Sequence, residues 1–525
     1  MNSFENTYYD IIIIGGGAVG SGIALDASLR GYSVLLLEKN DFSSGSSSKS
    51  TKLVHGGIRY LEKAFRSFDK SQYILVKEAL KERSIFLNNA SHLSSKLSLL
   101  TPIYKFFDIF YFYIGLFFYD LLALFKSFGR SSFVRFKDIK KDHNVLKTNC
   151  LYGGVRYYDG SFIDIRMNIA LVKTANSLGC VVKNYHSVSE FLYKSDKLNG
   201  VKVQDIITLD EYSIYSKVII NATGIAVDTI RLLDDYSCSS LLEFSSGVHL
   251  VVGSQFFSTT EGILIPKTKD NRVIFILPWQ GYCLIGTTDN KTFLYDDLIV
   301  SDDEVDYLLD HVNDYLDINI CKSDILSSWK GIRPLIKVDD DISSSNIVRE
   351  HIINKSKSNL ISIAGGKWTT YRKMSEDVLD FIIDDGLLKY KKECQTKDYK
   401  IIGSDDISSI DKSIDDKLYS MLFSLYGSKA EDILYIAKNE DAYEKINNNF
   451  LYIKAMIIYS VRYEYVKKPL DFLLRRVPML LLNKKESLSS LEYITSVISS
   501  CLKWNKKRYE QELYITRDII QKGSF

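Results

Sequence analysis

Three glycines near the N-terminus have the spacing that a bound dinucleotide requires. The pattern Gly15-x-Gly17-x-x-Gly20 follows the apolar run 11–14. In such a pattern the first glycine permits a tight turn, the second lets backbone approach a pyrophosphate, and the third lets the following helix pack on the sheet. The helix N-terminus then directs unpaired N–H groups and its positive dipole at the phosphates. The sequence therefore predicts a strand–turn–helix unit that binds a dinucleotide.

Glu38 narrows the choice of dinucleotide. It ends the apolar run Val34–Leu37 and is placed to accept hydrogen bonds from a ribose hydroxyl. Because its carboxylate would repel a 2′-phosphate, FAD or NAD is favoured over NADP. We expect the neighbouring residues Ala18 and Lys39 to contact the same ligand.

Two later small-residue segments favour FAD. Ala222-Thr223-Gly224 closes a strand-like run, and Gly365-Gly366-Lys367 follows the apolar run Leu360–Ala364. Backbone can approach a ligand closely at such positions. Three separated sites suit a long, extended dinucleotide, although each segment taken alone could be an ordinary glycine turn.

The elements that must position these residues indicate an α/β fold. After the β-α-β unit of residues 10–38, strand-like runs dominate from Val181 to Ile347, and the chain becomes helical after Tyr371. A polar linker around 386–411 precedes a final helical region. A chain of 525 residues exceeds what one hydrophobic core usually serves, so we expect more than one domain.

Composition excludes several classes of function. Lys plus Arg (67) nearly balances Asp plus Glu (65), which gives no electrostatic reason to expect nucleic-acid binding. The seven cysteines are scattered without a C-x-x-C pair, so we expect a reducing compartment and no metal site. No presequence is visible before the first strand-like run.

The stretch Leu99–Phe125 is the most apolar and aromatic part of the chain. Charged residues leave only Ile109–Tyr119 uninterrupted, which is too short to span a bilayer. Composition leaves two interpretations open: a buried core helix, or an aromatic face lying in a membrane interface.

Motifs along the whole chain resemble one known family. They are Ser50–Glu62 (STKLVHGGIRYLE), Tyr157–Gly160 (YYDG), Leu277–Trp279 (LPW), Ile285–Asp289 (IGTTD), Gly331–Leu335 (GIRPL), Arg349–His351 (REH), Gly365–Arg372 (GGKWTTYR) and Val461–Tyr465 (VRYEY). Together they resemble the FAD-dependent glycerol-3-phosphate dehydrogenases. The resemblance implies a Rossmann-like FAD-binding domain interleaved with a β-rich substrate domain over residues 1–385, with the substrate part mainly at about 95–150 and 240–350. It also implies a C-terminal all-helical cap domain over residues 410–525.

The resemblance implies that Arg59, Arg333 and Arg349 converge on the substrate. Planar guanidinium groups suit a phosphate dianion because they make paired, charge-assisted hydrogen bonds. Fixed positive charge also stabilises a developing ketone oxygen. The implied reaction is oxidation of sn-glycerol 3-phosphate to dihydroxyacetone phosphate. The alternative for each arginine is an ordinary structural ion pair.

His249 is the candidate base for this reaction. Oxidation of a secondary alcohol requires removal of the hydroxyl proton while hydride moves from C2 to flavin N5. His249 lies in the run Gly247–Val252, from which a strand could present it to the site. A structural or substrate-positioning histidine remains the alternative. Lys367 is expected to provide positive charge beside the flavin and the substrate.

The resemblance also implies the lining of the site. It places His55 and Tyr60 near the isoalloxazine and the substrate. The remaining expected cofactor contacts are Ser50, Thr51, Lys52, Gly56, Gly57, Trp368 and Thr369. Two departures from the usual family pattern could alter cofactor packing: Lys49 stands where an arginine is usual, and Ile225-Ala226 replaces a proline and a bulky residue.

The electron acceptor is not encoded in a motif. The leading hypothesis is a membrane-peripheral enzyme that passes electrons to a quinone, either at the mitochondrial inner membrane or at a bacterial-type cytoplasmic membrane. A cytoplasmic location and homodimer formation are left open. The alternatives are an oxidase that uses oxygen and produces hydrogen peroxide, an amine oxidase on the related fold, or a flavin-binding protein without turnover.

Overall fold

The computed structural model describes residues 8–56, 70–110, 115, 129–257, 259–270, 272–294, 298–337, 351–405 and 415–525. The strands in these ranges are β1 Tyr8–Ile14, β2 Val34–Glu38, β3 Leu53–Val54, β4 Ser94–Ile103, β5 Ser132–Arg135, β6 Gly153–Phe162, β7 Val181–Asn184, β8 His186–Lys194, β9 Lys197–Asp205, β10 Glu211–Asn221, β11 Leu242–Gly253, β12 Gly262–Ile265, β13 Ile274–Trp279, β14 Tyr282–Gly286, β15 Asn290–Thr292, β16 Ile325–Ile336, β17 His351–Lys355 and β18 Leu360–Gly365. The helices are α1 Ala18–Leu29, α2 Lys70–Asn89, α3 Phe136–Asp142, α4 Asp164–Ser177, α5 Val227–Asp234, α6 Asp302–Tyr315, α7 Tyr371–Asp384, α8 Asp416–Tyr426, α9 Ala430–Asn439, α10 Lys454–Tyr463, α11 Pro469–Arg475, α12 Met479–Leu482, α13 Lys484–Leu502 and α14 Lys506–Lys522.

The first sheet has the strand order β17-β18-β10-β1-β2-β7, and β18, β10, β1, β2 and β7 run parallel. Its central strands are apolar at consecutive positions because both faces are covered. Ile11 and Ile13 pack against α1, α4 and α7, whereas Ile12 and Ile14 face the apolar side of the β8–β9 hairpin. The carboxyl ends of these parallel strands therefore meet at one edge.

The second sheet has the strand order β15-β11-β14-β13-β12-β4-β6-β3, with β16 paired to β11 and β5 to β6. Alternation along β11 divides its side chains between two faces. Val248, Leu250 and Val252 pack with α6, whereas Val251 belongs to a cluster that includes the C-terminal helices. The same cluster contains Trp329 of β16. The second sheet is thus enclosed on both sides.

Buried ion pairs join the C-terminal helices to the parallel-sheet region. Arg166 of α4 donates to both carboxylate oxygens of Glu464 at 2.7 and 2.8 Å. Burial alone would raise the pKa of Glu464, but the positive charge of Arg166 outweighs it and lowers the pKa to about 2. A charge left without its partner in such a setting is strongly destabilising, so these contacts tie the helical region to the rest of the chain.

The predicted α/β fold is confirmed, with two sheets and a C-terminal helical region. The helix expected after the Gly365-Gly366 segment begins at Tyr371. The stretch Leu99–Phe125 is not one element: Leu99–Ile103 belongs to β4, and residues 106–110 are helical. The buried-helix interpretation is therefore wrong for the first part of this stretch, because its apolar residues are strand residues. Residues 111–114 and 116–125 lie outside the described ranges. The domain divisions near 385 and 410 remain our proposal.

Candidate active site

The glycine turn joins the ends of three neighbouring strands. Gly15 has φ +108°, and its N–H donates to Leu37 O at 2.8 Å. A Cβ at this position would stand 2.6 Å from Ala222 O, so only glycine allows β1 and β10 to end this close together. Helix α1 then begins at Ala18 with Gly17 as its N-cap. The turn therefore presents backbone N–H groups and the positive end of a 12-residue helix at the edge where the parallel strands end.

Glu38 lies beside this turn at the end of β2. Its Oε2 accepts a hydrogen bond from Gly16 N at 2.7 Å, and its Oε1 accepts one from Asn40 N at 2.8 Å. Burial is the largest influence on this carboxyl group and raises its pKa. The carboxylate occupies the position expected of a ribose acceptor, while Lys39 is exposed next to it.

The other two small-residue segments lie at the same edge. Ala222 follows β10, and its N–H donates to Ile14 O at 2.8 Å. Gly224 and Gly366 have φ of +59° and +80°. Because β10 and β18 are adjacent parallel strands, the segments that follow them emerge side by side. The three predicted ligand-contact segments are therefore brought together.

Residues 46–56 cross from the glycine turn to the second sheet. Ser47 Oγ accepts from Ala18 N at 3.0 Å, and Ser47 O accepts from the indole of Trp368 at 2.9 Å. Thr369 Oγ1 donates to His55 O at 3.4 Å. These contacts place residues 366–369 against the same segment, with Lys367 half-buried among them.

Asp164, at the start of α4, anchors this segment. Its Oδ2 accepts from Ser50 N at 3.2 Å and from Ser50 Oγ at 2.7 Å. Both carboxylate oxygens accept from Lys52 Nζ at 2.8 Å. The Lys52 ammonium is buried and lies 5.3 and 5.2 Å from the ring centroids of Trp279 and Trp329. The side chain of Lys52, which sequence reasoning assigned to the cofactor, is thus held in a buried ion pair.

His249 is buried beneath the same segment. It has 2% exposure, its Nε2 lies 3.0 Å from Thr51 Oγ1, and its ring stacks on Trp329 with centroids 5.2 Å apart. Burial lowers the pKa of His249 well below its ordinary value, and the charges of Lys52 and Arg333 lower it further. The imidazole is therefore neutral at neutral pH. Because it is so deeply buried, the imidazole does not reach the solvent-facing side of the site.

Arg333 lies on the same face as His249. In the antiparallel pairing of β11 with β16, Ser245 lies opposite Arg333, Gly247 opposite Gly331, and His249 opposite Trp329. A Cβ on Gly247 would collide with Arg333 Nη2, so the guanidinium extends over Gly247 towards His249.

Several oxygens accept hydrogen bonds from the Arg333 guanidinium. They are Ser245 Oγ, Ser246 O and Asp289 Oδ1 from Nη1, and Thr287 Oγ1 and Thr288 O from Nη2, at 3.0 to 3.2 Å. The contact with Asp289 is an ion pair, which is the interaction that the alternative interpretation of this arginine expects. The Arg333 side chain is nevertheless 36% exposed, and Asp289 is 54% exposed. A solvent-facing guanidinium whose acceptors include one exposed carboxylate can also meet an anionic ligand.

Four of the predicted site residues lie outside the described residues: Gly57, Arg59, Tyr60 and Arg349. Their positions stay predictions. Of the three arginines expected at the substrate, the structure describes Arg333.

A cluster around Asp41, three residues after Glu38, escaped sequence reasoning. Arg476 donates to both oxygens of Asp41 at 2.8 and 2.9 Å, and Arg475 donates to Oδ2 at 2.6 Å. Burial alone would raise the pKa of Asp41, but the two guanidinium groups hold it below its ordinary value. No local pattern could indicate this contact, because the partners are more than 430 residues apart in sequence.

These features fit an extended FAD. The glycine turn and the N-terminus of α1 suit the pyrophosphate, Glu38 suits the ribose, and residues 46–56 with 366–369 form a cradle that continues to His249 and Arg333. The fold and this cradle define a flavin-dependent oxidoreductase. Comparison with known proteins narrows this class to one family.

Residues 10–372 match the family model described as FAD dependent oxidoreductase, and residues 394–509 match the C-terminal domain of alpha-glycerophosphate oxidase. Among curated relatives, the mitochondrial glycerol-3-phosphate dehydrogenase SDP6 of Arabidopsis thaliana is 36% identical over 98% of this chain and 86% of its own length. The probable mitochondrial glycerol-3-phosphate dehydrogenase of Dictyostelium discoideum is 38% identical, over 99% and 85%.

A solved structure supports the same assignment. The glycerol-3-phosphate dehydrogenase from Bacillus halodurans complexed with FAD superposes with a TM-score of 0.79 at 28% identity, covering 99% of this chain and 96% of that one. The chain therefore belongs to the FAD-dependent glycerol-3-phosphate dehydrogenase family, whose cofactor is FAD.

Proposed function

We propose that this protein oxidises sn-glycerol 3-phosphate to dihydroxyacetone phosphate and that a quinone reoxidises its cofactor. The observation that carries the proposal is the half-exposed guanidinium of Arg333 beside His249, at the end of a cradle that fits FAD. Family membership supports the same substrate, since the relatives named above are glycerol-3-phosphate dehydrogenases.

Phosphate binding is the role we assign to Arg333, together with Arg59 and Arg349. A guanidinium fork matches two phosphate oxygens at once, and the dianion would compete with Asp289 for it. Because Asp289 is 54% exposed, water can solvate its carboxylate when the substrate displaces it from Arg333. Lys367, half-buried in the cradle, adds positive charge beside the reacting carbon and its oxygen. Tyr60 is assigned to the same pocket.

His249 is the proton acceptor in this proposal. Its neutral imidazole is the form that can take a proton. Binding of a phosphate dianion near Arg333 would offset part of the positive charge that now opposes protonation of the imidazole. Bound FAD supplies the acceptor for the C2 hydride. The residues of this chain therefore hold the phosphate, orient C2 and remove the hydroxyl proton.

The cofactor is held, in this proposal, by two groups of residues. The first lies at the ends of the parallel strands and comprises Gly15, Gly17, Ala18, Gly20, Glu38, Lys39, Ala222 and Gly224. The second lies in the cradle and comprises Ser50, Thr51, Lys52, His55, Gly56, Gly57, Gly366, Lys367, Trp368 and Thr369. Lys52 would contribute through its backbone, because its ammonium is committed to Asp164.

An aromatic cluster supports a membrane-facing surface from which quinone could be reached. Phe106, Phe107 and Phe110 are 53, 83 and 61% exposed, and Phe106 makes edge contacts with Phe107, Phe110 and Tyr152. Exposed aromatic side chains grouped in this way are suited to a lipid interface. Among the described helices, none is both long and apolar enough to cross a bilayer. We propose peripheral attachment through this cluster.

The test is spectroscopic. Purified holoprotein is mixed anaerobically with sn-glycerol 3-phosphate, and the oxidised-flavin absorbance is followed. Bleaching is expected with this substrate and not with glycerol or an amino acid. An oxidised spectrum at saturating glycerol 3-phosphate would refute the proposed reaction, and bleaching by the amino acid alone would make the protein an amine oxidase.

Reoxidation of the bleached protein separates the acceptors. The reduced sample is mixed either with a short-chain quinone or with oxygenated buffer, and the return of absorbance is timed. Faster recovery with the quinone supports the dehydrogenase. Faster recovery with oxygen, accompanied by hydrogen peroxide, would make the protein an oxidase.

A further inference from the structure

Thr51 stands between His249 and the solvent-facing side of the site. The imidazole is only 2% exposed, whereas Thr51 is half-buried. The Thr51 hydroxyl lies 3.0 Å from His249 Nε2, which is a hydrogen-bond distance. A substrate hydroxyl can therefore approach Thr51 while the imidazole stays covered.

The same face of the second sheet carries Arg333. A Cβ on Gly331 would lie 3.0 Å from Lys49 O, so the backbone leading to Thr51 runs directly over β16. The Arg333 guanidinium extends over Gly247, two residues before His249 on β11. A ligand whose phosphate meets Arg333 thus has its neighbouring carbons near Thr51.

Asp164 fixes Thr51 from both sides. Ser50, the residue before it, is bonded to Asp164 through its N–H and its hydroxyl. Lys52, the residue after it, is bonded to both carboxylate oxygens. With both neighbours anchored to one buried carboxylate, the Thr51 side chain has little freedom to leave His249. Preorganisation of this kind is what proton transfer in a transition state requires.

We propose that Thr51 is a catalytic residue that relays the substrate proton to His249. The O–H bond of the substrate alcohol breaks as its proton passes to Thr51 Oγ1, and the proton already on Thr51 passes to His249 Nε2. The C2 hydride leaves with its electron pair to the oxidant that the proposed function supplies, so that the products are a ketone and an imidazolium. This relay rests on the proposed function, and it needs the neutral tautomer of His249 with its proton on Nδ1.

The test compares three isosteric or near-isosteric variants. Thr51→Val removes the hydroxyl and keeps the shape, Thr51→Ser keeps the hydroxyl, and Thr495→Val removes a buried hydroxyl that bonds only within α13. The measured quantities are the anaerobic flavin-reduction rate at saturating glycerol 3-phosphate and the substrate Kd from its concentration dependence. We expect Thr51→Val to slow reduction by about 100-fold or more, as loss of a proton-transfer group does, with Kd changed by less than about threefold. Thr51→Ser should stay within about tenfold of the wild-type rate, and Thr495→Val should match it.

A second readout does not depend on turnover. In protein labelled with ¹⁵N-histidine, the His249 signals are identified by their loss in His249→Asn. We expect the Nε2 resonance to report an accepted hydrogen bond in the wild type and in Thr51→Ser, and to move when Thr51→Val removes the donor.

The outcomes separate the relay from the reaction itself. A wild-type flavin that glycerol 3-phosphate never bleaches would overturn the proposed function. A wild type that is bleached while Thr51→Val reacts within about threefold of the same rate would overturn the relay and leave the reaction standing. An unmoved Nε2 resonance in folded, flavin-loaded Thr51→Val would also overturn it.

Discussion

The substitution Lys52→Met is expected to shift the pH dependence of catalysis. Lys52 is buried. Burial lowers the pKa of His249, and the positive charges of Lys52 and Arg333 lower it further. Methionine keeps much of the volume of the lysine stem but removes the charge. His249 in the variant then protonates at a higher pH, because one of the charges that opposed its protonation is gone.

The size of this effect follows from the stacking of Lys52, Trp329 and His249. The Lys52 ammonium lies 5.2 Å from the centroid of Trp329, and that ring lies 5.2 Å from the imidazole of His249. The two charges are therefore at most about 10 Å apart, and at an effective dielectric constant of about 20 their repulsion is about 1.7 kcal/mol. Removing it should raise the acidic midpoint by roughly one pH unit. Asp164 keeps its bonds from Ser50, so its negative charge acts in the same direction.

The assay is the pH profile of kcat/KM for glycerol 3-phosphate. In the wild type the acidic limb lies well below the ordinary range of histidine, because neutral His249 persists to low pH. In Lys52→Met the limb moves up by roughly one pH unit, so the variant loses activity at a pH where the wild type is still active, while both proteins stay active at alkaline pH. The substrate phosphate also titrates, but its contribution is common to both proteins and cancels in the ratio of their profiles.

Lys173→Met is the matched control for this shift. Lys173 is also a largely buried lysine, and its pKa is lowered to about 8 chiefly by burial. It donates to Tyr459 OH at 2.6 Å, among the C-terminal helices, and is not one of the charges that act on His249. A profile for Lys52→Met that coincides with those of the wild type and Lys173→Met would refute the electrostatic coupling of Lys52 to His249.

Three further outcomes are expected. Arg333→Ala should lower kcat/KM for glycerol 3-phosphate by about 30-fold or more, equivalent to about 2 kcal/mol, with Arg333→Lys intermediate; unchanged kinetics would remove Arg333 from the site. Arg476→Met should lower the free energy of unfolding by about 3 kcal/mol, measured by denaturant titration, because Asp41 stays buried after losing one of its two guanidinium partners. Phe107→Ser combined with Phe110→Ser should release the protein from liposomes in a flotation assay while anaerobic flavin reduction by glycerol 3-phosphate persists; retained flotation would exclude this cluster as the attachment surface.

Local sequence pattern predicted the dinucleotide turn because its determinants are local. Gly15 must adopt a positive φ, Gly17 must cap α1 without a side chain, and Glu38 must end the next strand; all three requirements act within one β-α-β unit. Sequence also assigned Ala222 and Gly366 to the same ligand, and the structure brings both segments to this turn because β10 and β18 end at the same edge as β1.

The surroundings of His249 could not be predicted in this way. Its burial depends on residues 50–52 crossing β16, and that path is set by Asp164, more than 110 residues away from Lys52 in sequence. Lys52 was placed at the cofactor because the family resemblance implied it. Its ammonium instead donates to both oxygens of Asp164 and to Ser48 O, and it lies over two indole rings.

The cluster around Asp41 joins the C-terminal helices to the loop that follows Glu38. Asp41 lies three residues after Glu38, and its carboxylate is held by Arg475 and Arg476 at the end of α11. If the helical region were displaced, this buried carboxylate would lose its compensating charges, and the loop would have to open to hydrate it. Opening the loop would carry Glu38 away from Gly16 and break the hydrogen bond that holds its carboxylate against the glycine turn. Displacement of the C-terminal helices would therefore disturb the glycine turn through the buried cluster around Asp41.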